Sequence, residues 1–157
     1  MATIASATFL TDTITFVRDK LDANVTDPIS GSRAGRDRFV MTSYPQRTVK
    51  YPIITVVDSG ISDERRLGLQ SEATFMVYNV EIRIWARNVK ERDSLTQEVY
   101  TFLRTNQFDG PPLTDGASVG FGLHDFALVG ATNVNDFNGD ASVRSKVLEF
   151  RYKAVIT

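Results

Sequence analysis

The sequence predicts an α+β domain. It is expected to be a mainly antiparallel sheet of four strands, or slightly more, with two helices packed on one face in the order αββαββ. Three observations carry this. Apolar residues recur at helical spacing in two segments, 5–22 and 89–107. Strand-like segments fall in pairs after each helix, not in the strict β–α alternation of a parallel sheet. The long strands keep one polar face, as in a sheet whose second side meets solvent.

The first helix is expected over 5–22. Phe9, Leu10, Ile14, Val17 and Leu21 share one face, with Asp12, Arg18 and Lys20 opposite. Ser6 or Thr3 is placed to cap it. Residues 24–38 follow, with the Asn, Asp, Pro, Ser, Gly and Arg content of a loop. Phe39–Tyr44 is a short strand candidate before Pro45. Tyr51–Val57 (YPIITVV) is a strand with Pro52 at its start, where a missing N–H donor is tolerated. Residues 59–71 (SGISDERRLGLQS) read as a second polar loop.

Ala73–Arg87 is the clearest strand. Met76, Tyr78, Val80, Ile82, Ile84 and Ala86 take one face, and Asn79, Glu81, Arg83 and Arg87 the other. Trp85 lies on that polar face. The second helix, 89–107, carries the stripe Leu95, Val99, Phe102 and Leu103, leaving Glu91, Arg92, Asp93, Glu98 and Arg104 for solvent. Asp109-Gly110-Pro111-Pro112 stops it. A Gly-rich loop at 109–121 leads to a strand at 123–133, with Ala127 and Val129 on one side and Phe126 and Leu128 on the other. Asn138-Gly139 marks a hairpin turn. The last strand, 142–156, points Leu148, Phe150, Tyr152, Ala154 and Ile156 one way.

At 157 residues the chain is expected to be a single domain, 1–157. It is 42% hydrophobic and 24% charged, enough apolar surface to offset chain entropy. Lys plus Arg is 18 against 19 acids, and a net charge of −1 excludes a polybasic coat for DNA or membrane. The cysteine count is 0, which excludes disulfides, thiol nucleophiles and thiolate zinc sites. No segment has the pattern of a leader or a spanning helix, so a soluble protein is expected.

Catalytic patterns fail on context. The one histidine, His124, has Asp125 beside it, and adjacent strand residues point to opposite faces. Gly31 to Gly35 lacks the spacing and lysine of a P-loop, and Gly120-Phe121-Gly122 precedes a strand, not a helix. Asp136-Phe137-Asn138-Gly139-Asp140 starts like a calcium loop, but Ala141 and Val147 replace the required Gly and Glu. Asp63-Glu64 runs into Arg65-Arg66, a mixed-charge solvated loop. No enzyme, metal or cofactor is expected.

Charge is segregated along the chain. From Gly31 to Lys50 stand Arg33, Arg36, Arg38, Arg47 and Lys50 against Asp37 alone. From Thr105 to Val143 there is no Lys or Arg, only Asp109, Asp115, Asp125, Asp136 and Asp140. A head-to-tail contact would bring one copy's basic loop to its neighbour's acidic segment. Alternatively the two segments neutralise each other within one subunit or sit in solvent. The candidate interface residues are Arg33, Arg36, Arg38, Arg47, Arg65, Arg66, Trp85, Asp109, Asp115, Asp136 and Asp140. Trp85 has two readings: an interface anchor, or a ring lying under the 24–48 segment of its own chain.

The order of helix, polar loop, Tyr51-Pro-Ile-Ile-Thr-Val-Val, polar loop, the long strand Tyr78–Arg87 and the helix around Arg92-Asp93-Ser94-Leu95 resembles the tail terminator (tail completion) proteins of tailed phages. The likeness spans about Thr8 to Ile156 and rests on order and texture, without a catalytic signature. It implies a virion protein of the tail and neck, assembled in the host cytoplasm. It implies a homo-oligomeric, hexameric ring on the last ring of the tail tube, which ends polymerisation and offers a docking surface to the head-side connector. The implied partners are the chain itself, the tube protein, the neck proteins, a sheath protein, and genomic DNA passing through the ring.

Other readings stay open. A head–tail adaptor or a tube protein has the same texture. A small metal-dependent nuclease needs convergence among Asp109, Asp115, Asp125 and Asp136. An RNA-binding sheet needs exposed strand aromatics flanked by cations, which only Trp85 with Arg83 and Arg87 approaches.

Overall fold

A computed structural model describes residues 8–35, 37–46, 48–68, 73–105, 124–134 and 143–156. Helix α1 spans Phe9–Asn24, and a short 3-10 turn follows at Ser30–Ser32. The strands are β1 (Val40–Met41), β2 (Ile53–Arg66), β3 (Thr74–Ala86), β4 (His124–Val134) and β5 (Arg144–Ile156), with helix α2 (Val89–Thr105) after β3. They form a five-stranded sheet in the order β1-β2-β3-β5-β4. All pairs are antiparallel except β1 with β2, which is parallel. The expected α+β fold, a mainly antiparallel sheet with two helices on one face, is present, with five strands where four or slightly more were expected.

The alternation in β3 does what its pattern predicts. Tyr78, Val80, Ile82 and Ile84 are each 0% exposed. Across β5 they meet Tyr152, Phe150, Leu148 and Lys146, and across β2 Val56 faces Ile82. Fully burying such a side chain contributes roughly 1.5–3 kcal/mol. Helix α1 packs on β1 and β2, and α2 on β3 and β5. Both helices add to the same core, so they cover the same face.

The buried face of α1 is as expected at Phe9, Ile14, Val17 and Leu21 and departs from expectation only at Leu10. Phe9, Thr13, Ile14, Phe16, Val17 and Leu21 are buried, whereas Leu10 is 41% exposed. Thr13 can take a core position because its hydroxyl donates to the Phe9 carbonyl at 2.7 Å. The expected start near residue 5, with Thr3 and Ser6, lies outside the described residues. In α2 the stripe of Leu95, Val99 and Leu103 is buried with Phe102 packed against it. Arg92, expected in solvent, is 7% exposed, its guanidinium turned to Asp93 at 2.9 Å.

The expected loop at 59–71 is mostly strand. β2 runs on to Arg66 and β3 begins at Thr74, and Leu67 N–H bonds the Ala73 carbonyl at 3.0 Å. The polar composition arises because this half of β2 is exposed from Val57 onward, apart from half-buried Gly60. Two bulges bend it, between Asp58 and Gly60 and between Ile61 and Asp63. Gly60 sits at φ 103°, its N–H bonded to Asp58 Oδ1 at 2.6 Å. The 39–44 segment shortens to two paired residues. β4 also bulges twice, between His124 and Ala127 and between Leu128 and Gly130, which breaks its expected alternation.

Candidate assembly surface

The face of the sheet away from the helices is built row by row. Glu81 lies between Val57 and Glu149, Arg83 between Thr55 and Val147, and Trp85 between Ile53 and Ser145. Charge is mixed along it. Arg83 gives Nε and Nη2 to Ser145 Oγ at 3.3 and 3.2 Å, and Ser145 in turn donates to the Val134 carbonyl at 3.0 Å.

Trp85 is closed over by its own chain. The Tyr44 ring lies 4.8 Å from it, the Arg83 guanidinium 4.1 Å above it, and its Nε1 donates to Thr55 Oγ1 at 3.2 Å. The 24–48 segment thus supplies its cover. Tyr44 itself stays 46% exposed, with its hydroxyl bonded to that of Tyr51.

Arg33 is also used inside the subunit. Its Nε meets Asp27 at 2.5 Å with side-chain exposures of 7% and 13%. It donates to the carbonyls of Lys50, at 2.8 Å, and Pro52, and stacks on Phe39. Lys50 Nζ returns to the Ser32 carbonyl at 2.6 Å. These cations fold the 24–52 chain against the start of β2. Arg38 is exposed.

Arg65 and Arg66 lie exposed at the far end of β2, with Arg65 over the Phe75 ring at 5.0 Å and near Asp63 at 3.8 Å. Arg36, Arg47, Asp109, Asp115, Asp136 and Asp140 lie outside the described residues. The described candidates therefore do not converge on one point. They distribute over the β1–β2 side of the sheet, with Trp85 on its open face.

Sequence reasoning missed the apolar residues on the two sheet borders. Val57 and Ile61 on β2 are 38% and 41% exposed, and Leu128 and Val129 on β4 are 39% and 55% exposed. Ile61 was hidden in a stretch whose composition reads as loop. Among the described residues neither helix packs on β4 as it does on the inner strands, and Leu128 is 39% exposed although its partner Phe150 is 3% exposed.

Among the described residues no group of three His, Cys, Asp or Glu could hold a metal, and no helix is long and apolar enough to cross a membrane. A groove of about 560 Å³ runs along α2 past Ser94, Gln97, Glu98, Thr101 and Phe102. Its one carboxylate, Glu98, already accepts the Thr26 N–H at 2.7 Å. Burial, reinforced by Asp58, pushes the Tyr78 phenol far above its usual range, and burial does the same to Tyr152. Neither ionises near neutral pH.

No protein-family model matches the chain, and no curated protein matches it. Among solved structures the fold is similar to a chain in "Virion of native gene transfer agent (GTA) particle", at 13% identity and a TM-score of 0.51, covering 90% of this chain and 93% of that one.

Proposed function

We propose that this chain is a structural, non-enzymatic virion protein that caps the end of a tail tube as a ring, stops tube growth and presents a docking surface to head-side neck proteins. One observation carries the reading: a fold shared nearly end to end with a chain of a phage-like virion particle. The sheet supports it, with bent borders exposing Val57, Ile61, Leu128 and Val129 where a neighbour would seat. A ring needs a heterologous contact, and a surface with two unlike borders meets that need. The partners are other copies of the chain, the tube protein, a head-side connector and a sheath protein where the tail contracts. DNA passes through the ring, so contact with it is transient.

The test is native mass together with negative-stain imaging of the protein alone and mixed with its tail tubes. Closed rings of one size on tube ends are the expected result. The open sheet borders also favour a second reading, a tube protein, which would grow open-ended tubes unaided. A monomer that ignores tubes would defeat both.

A further inference from the structure

We propose that neighbouring copies join edge to edge, the outer border of β2 at Val57–Ser62 pairing antiparallel with β4 at Ala127–Thr132 of the next copy. Ile61 then sits beside Leu128 of that copy on the helix-bearing side. The inference rests on the ring reading and names the contact that builds it.

Among the described residues both borders lack a pairing strand. β1 covers β2 only at Ile54 and Thr55, and β4 pairs with β5 alone. Natural edges are blunted by lysines, prolines or inward charges. β4 from Ala127 to Val134 has no charged residue and no proline. Strand directions fit as well. β2 runs opposite to β3, β3 to β5 and β5 to β4, so β2 and β4 point in opposite senses. Copies related by a rotation about an axis along the strands therefore bring the two borders together antiparallel.

The shapes correspond. Each border strand carries two bulges close together, and neither inner strand is an edge. Extra residues add local twist, so both borders bend within a few residues of Ile61 and Leu128. Exposed Ile61 faces exposed Leu128, while Val57, beside Glu81, lies on the opposite face of the sheet. Faces match too, because Ile61 pairs with Tyr78 and Leu128 with Phe150, both on the helix side.

Charge does not oppose the contact. The β2 border from Val57 to Arg66 carries Asp58, Asp63 and Glu64 against Arg65 and Arg66, and β4 from Ala127 to Val134 carries no charge. Joining unlike borders therefore brings no like charges face to face, whereas two β2 borders meeting by a two-fold axis would repeat the acidic Asp58 and Asp63 on both sides.

The chain has no cysteine, so I61C and L128C supply the only thiols. Cross-strand neighbours lie about 4.5–5.5 Å apart at Cα, within disulfide reach, and a short bis-maleimide covers a two-residue slip in register. The two single variants and the I61C/L128C double variant are assembled on tail tubes, cross-linked and run on a denaturing gel. The double variant is expected to give a ladder ending at the ring's subunit number, and each single variant only monomer. Dimers from a single variant overturn the proposal in favour of two-fold pairing. Rings in micrographs without a ladder overturn the edge contact and leave the ring reading intact. Absence of rings with the unmodified chain removes both. Val129→Glu, at an exposed position, should cut ring yield at least tenfold with unchanged circular dichroism, and an unchanged yield overturns the proposal.

Discussion

Tyr44 lies across Trp85 at 4.8 Å between ring centroids, tilted 52°, and so ties a loop before β2 to the polar face of β3. A large aromatic on a hydrophilic strand face is thereby accounted for within one subunit. Arg83 adds a cation–π contact to the same indole.

Because the chain has 1 tryptophan, its fluorescence reports this contact alone. Tyr44→Ala should shift Trp85 emission to longer wavelength and lower stability by about 1 kcal/mol, the scale of an aromatic pair beyond its area. Ring assembly should survive the change. An unmoved emission maximum would show that the stack does not form in solution.

Arg33 and Asp27 form an ion pair largely closed to water. Removing one member leaves a nearly buried charge unpaired, with losses on the order of 3 kcal/mol. Arg33→Met and Asp27→Asn should each destabilise the chain in urea titrations, and the double variant should lose clearly less than the sum. Additive losses would mean that the pair is not coupled.

The helix phase gives a sharper contrast. Phe16 is 1% exposed and Leu10 41%. Phe16→Ala should cost roughly 3–5 kcal/mol, and Leu10→Ala under about 1 kcal/mol. Comparable losses would place Leu10 in the core after all.

That contrast also marks where sequence pattern suffices. β3 and β5 were legible because period-two alternation over a long strand has one solution when a single face is covered. α1 was legible as a helix and in its buried face, apart from Leu10. Phe9 and Leu10 are adjacent, and what decides between them is whether Thr13 can hide its hydroxyl by bonding back to Phe9. The far half of β2 was not legible. Asp58 to Arg66 has loop composition because no layer covers it, and only its pairing with β3 makes it a strand. For the candidate surface, charge pattern alone does not separate cations committed within the subunit from exposed ones. Arg33 looks free in the sequence and is committed to Asp27 in the fold. The two border strands were invisible as borders, since sheet order is a long-range property that local patterns do not contain.

The start of α2 is a pH-dependent device. Asn88 Oδ1 accepts the Glu91 N–H at 2.9 Å, and Glu91 reaches back to the Arg87 N–H at 3.0 Å and to its guanidinium. The hydrogen bond from Arg87 holds the Glu91 carboxyl below its ordinary value of 4.5. A lowered value in the folded state means that the ionised carboxylate stabilises the fold above 4.5, and that this is lost as pH falls through the folded value. Glu91→Ala should cost about 1 kcal/mol at pH 7, the scale of a lost cap, and progressively less below about pH 4.5. A penalty that stays flat into acid would exclude the ionised pair as its source.

Gly60 and Gly130 test the bend in β2 against the bend in β4. At neither position does an added Cβ meet any atom within 4 Å, so packing does not distinguish them. Backbone conformation does, since Gly60 has φ 103° and Gly130 does not lie in that range. A side chain at positive φ costs about 1–2 kcal/mol, whereas alanine at an ordinary strand position reduces unfolded-state entropy and stabilises by about 0.4–1 kcal/mol. Gly60→Ala should therefore lower the melting temperature and Gly130→Ala should hold or raise it. The strain at Gly60 can be relieved only by straightening the Asp58–Asp63 bulges, which would also release the Gly60 carbonyl from Asn79 Nδ2, now 3.2 Å away. Faster amide exchange from Val57 to Arg66 in Gly60→Ala, with β5 unchanged, is the accompanying signature. Equal melting temperatures for the two variants would mean that the bulge at Gly60 does not need its left-handed residue.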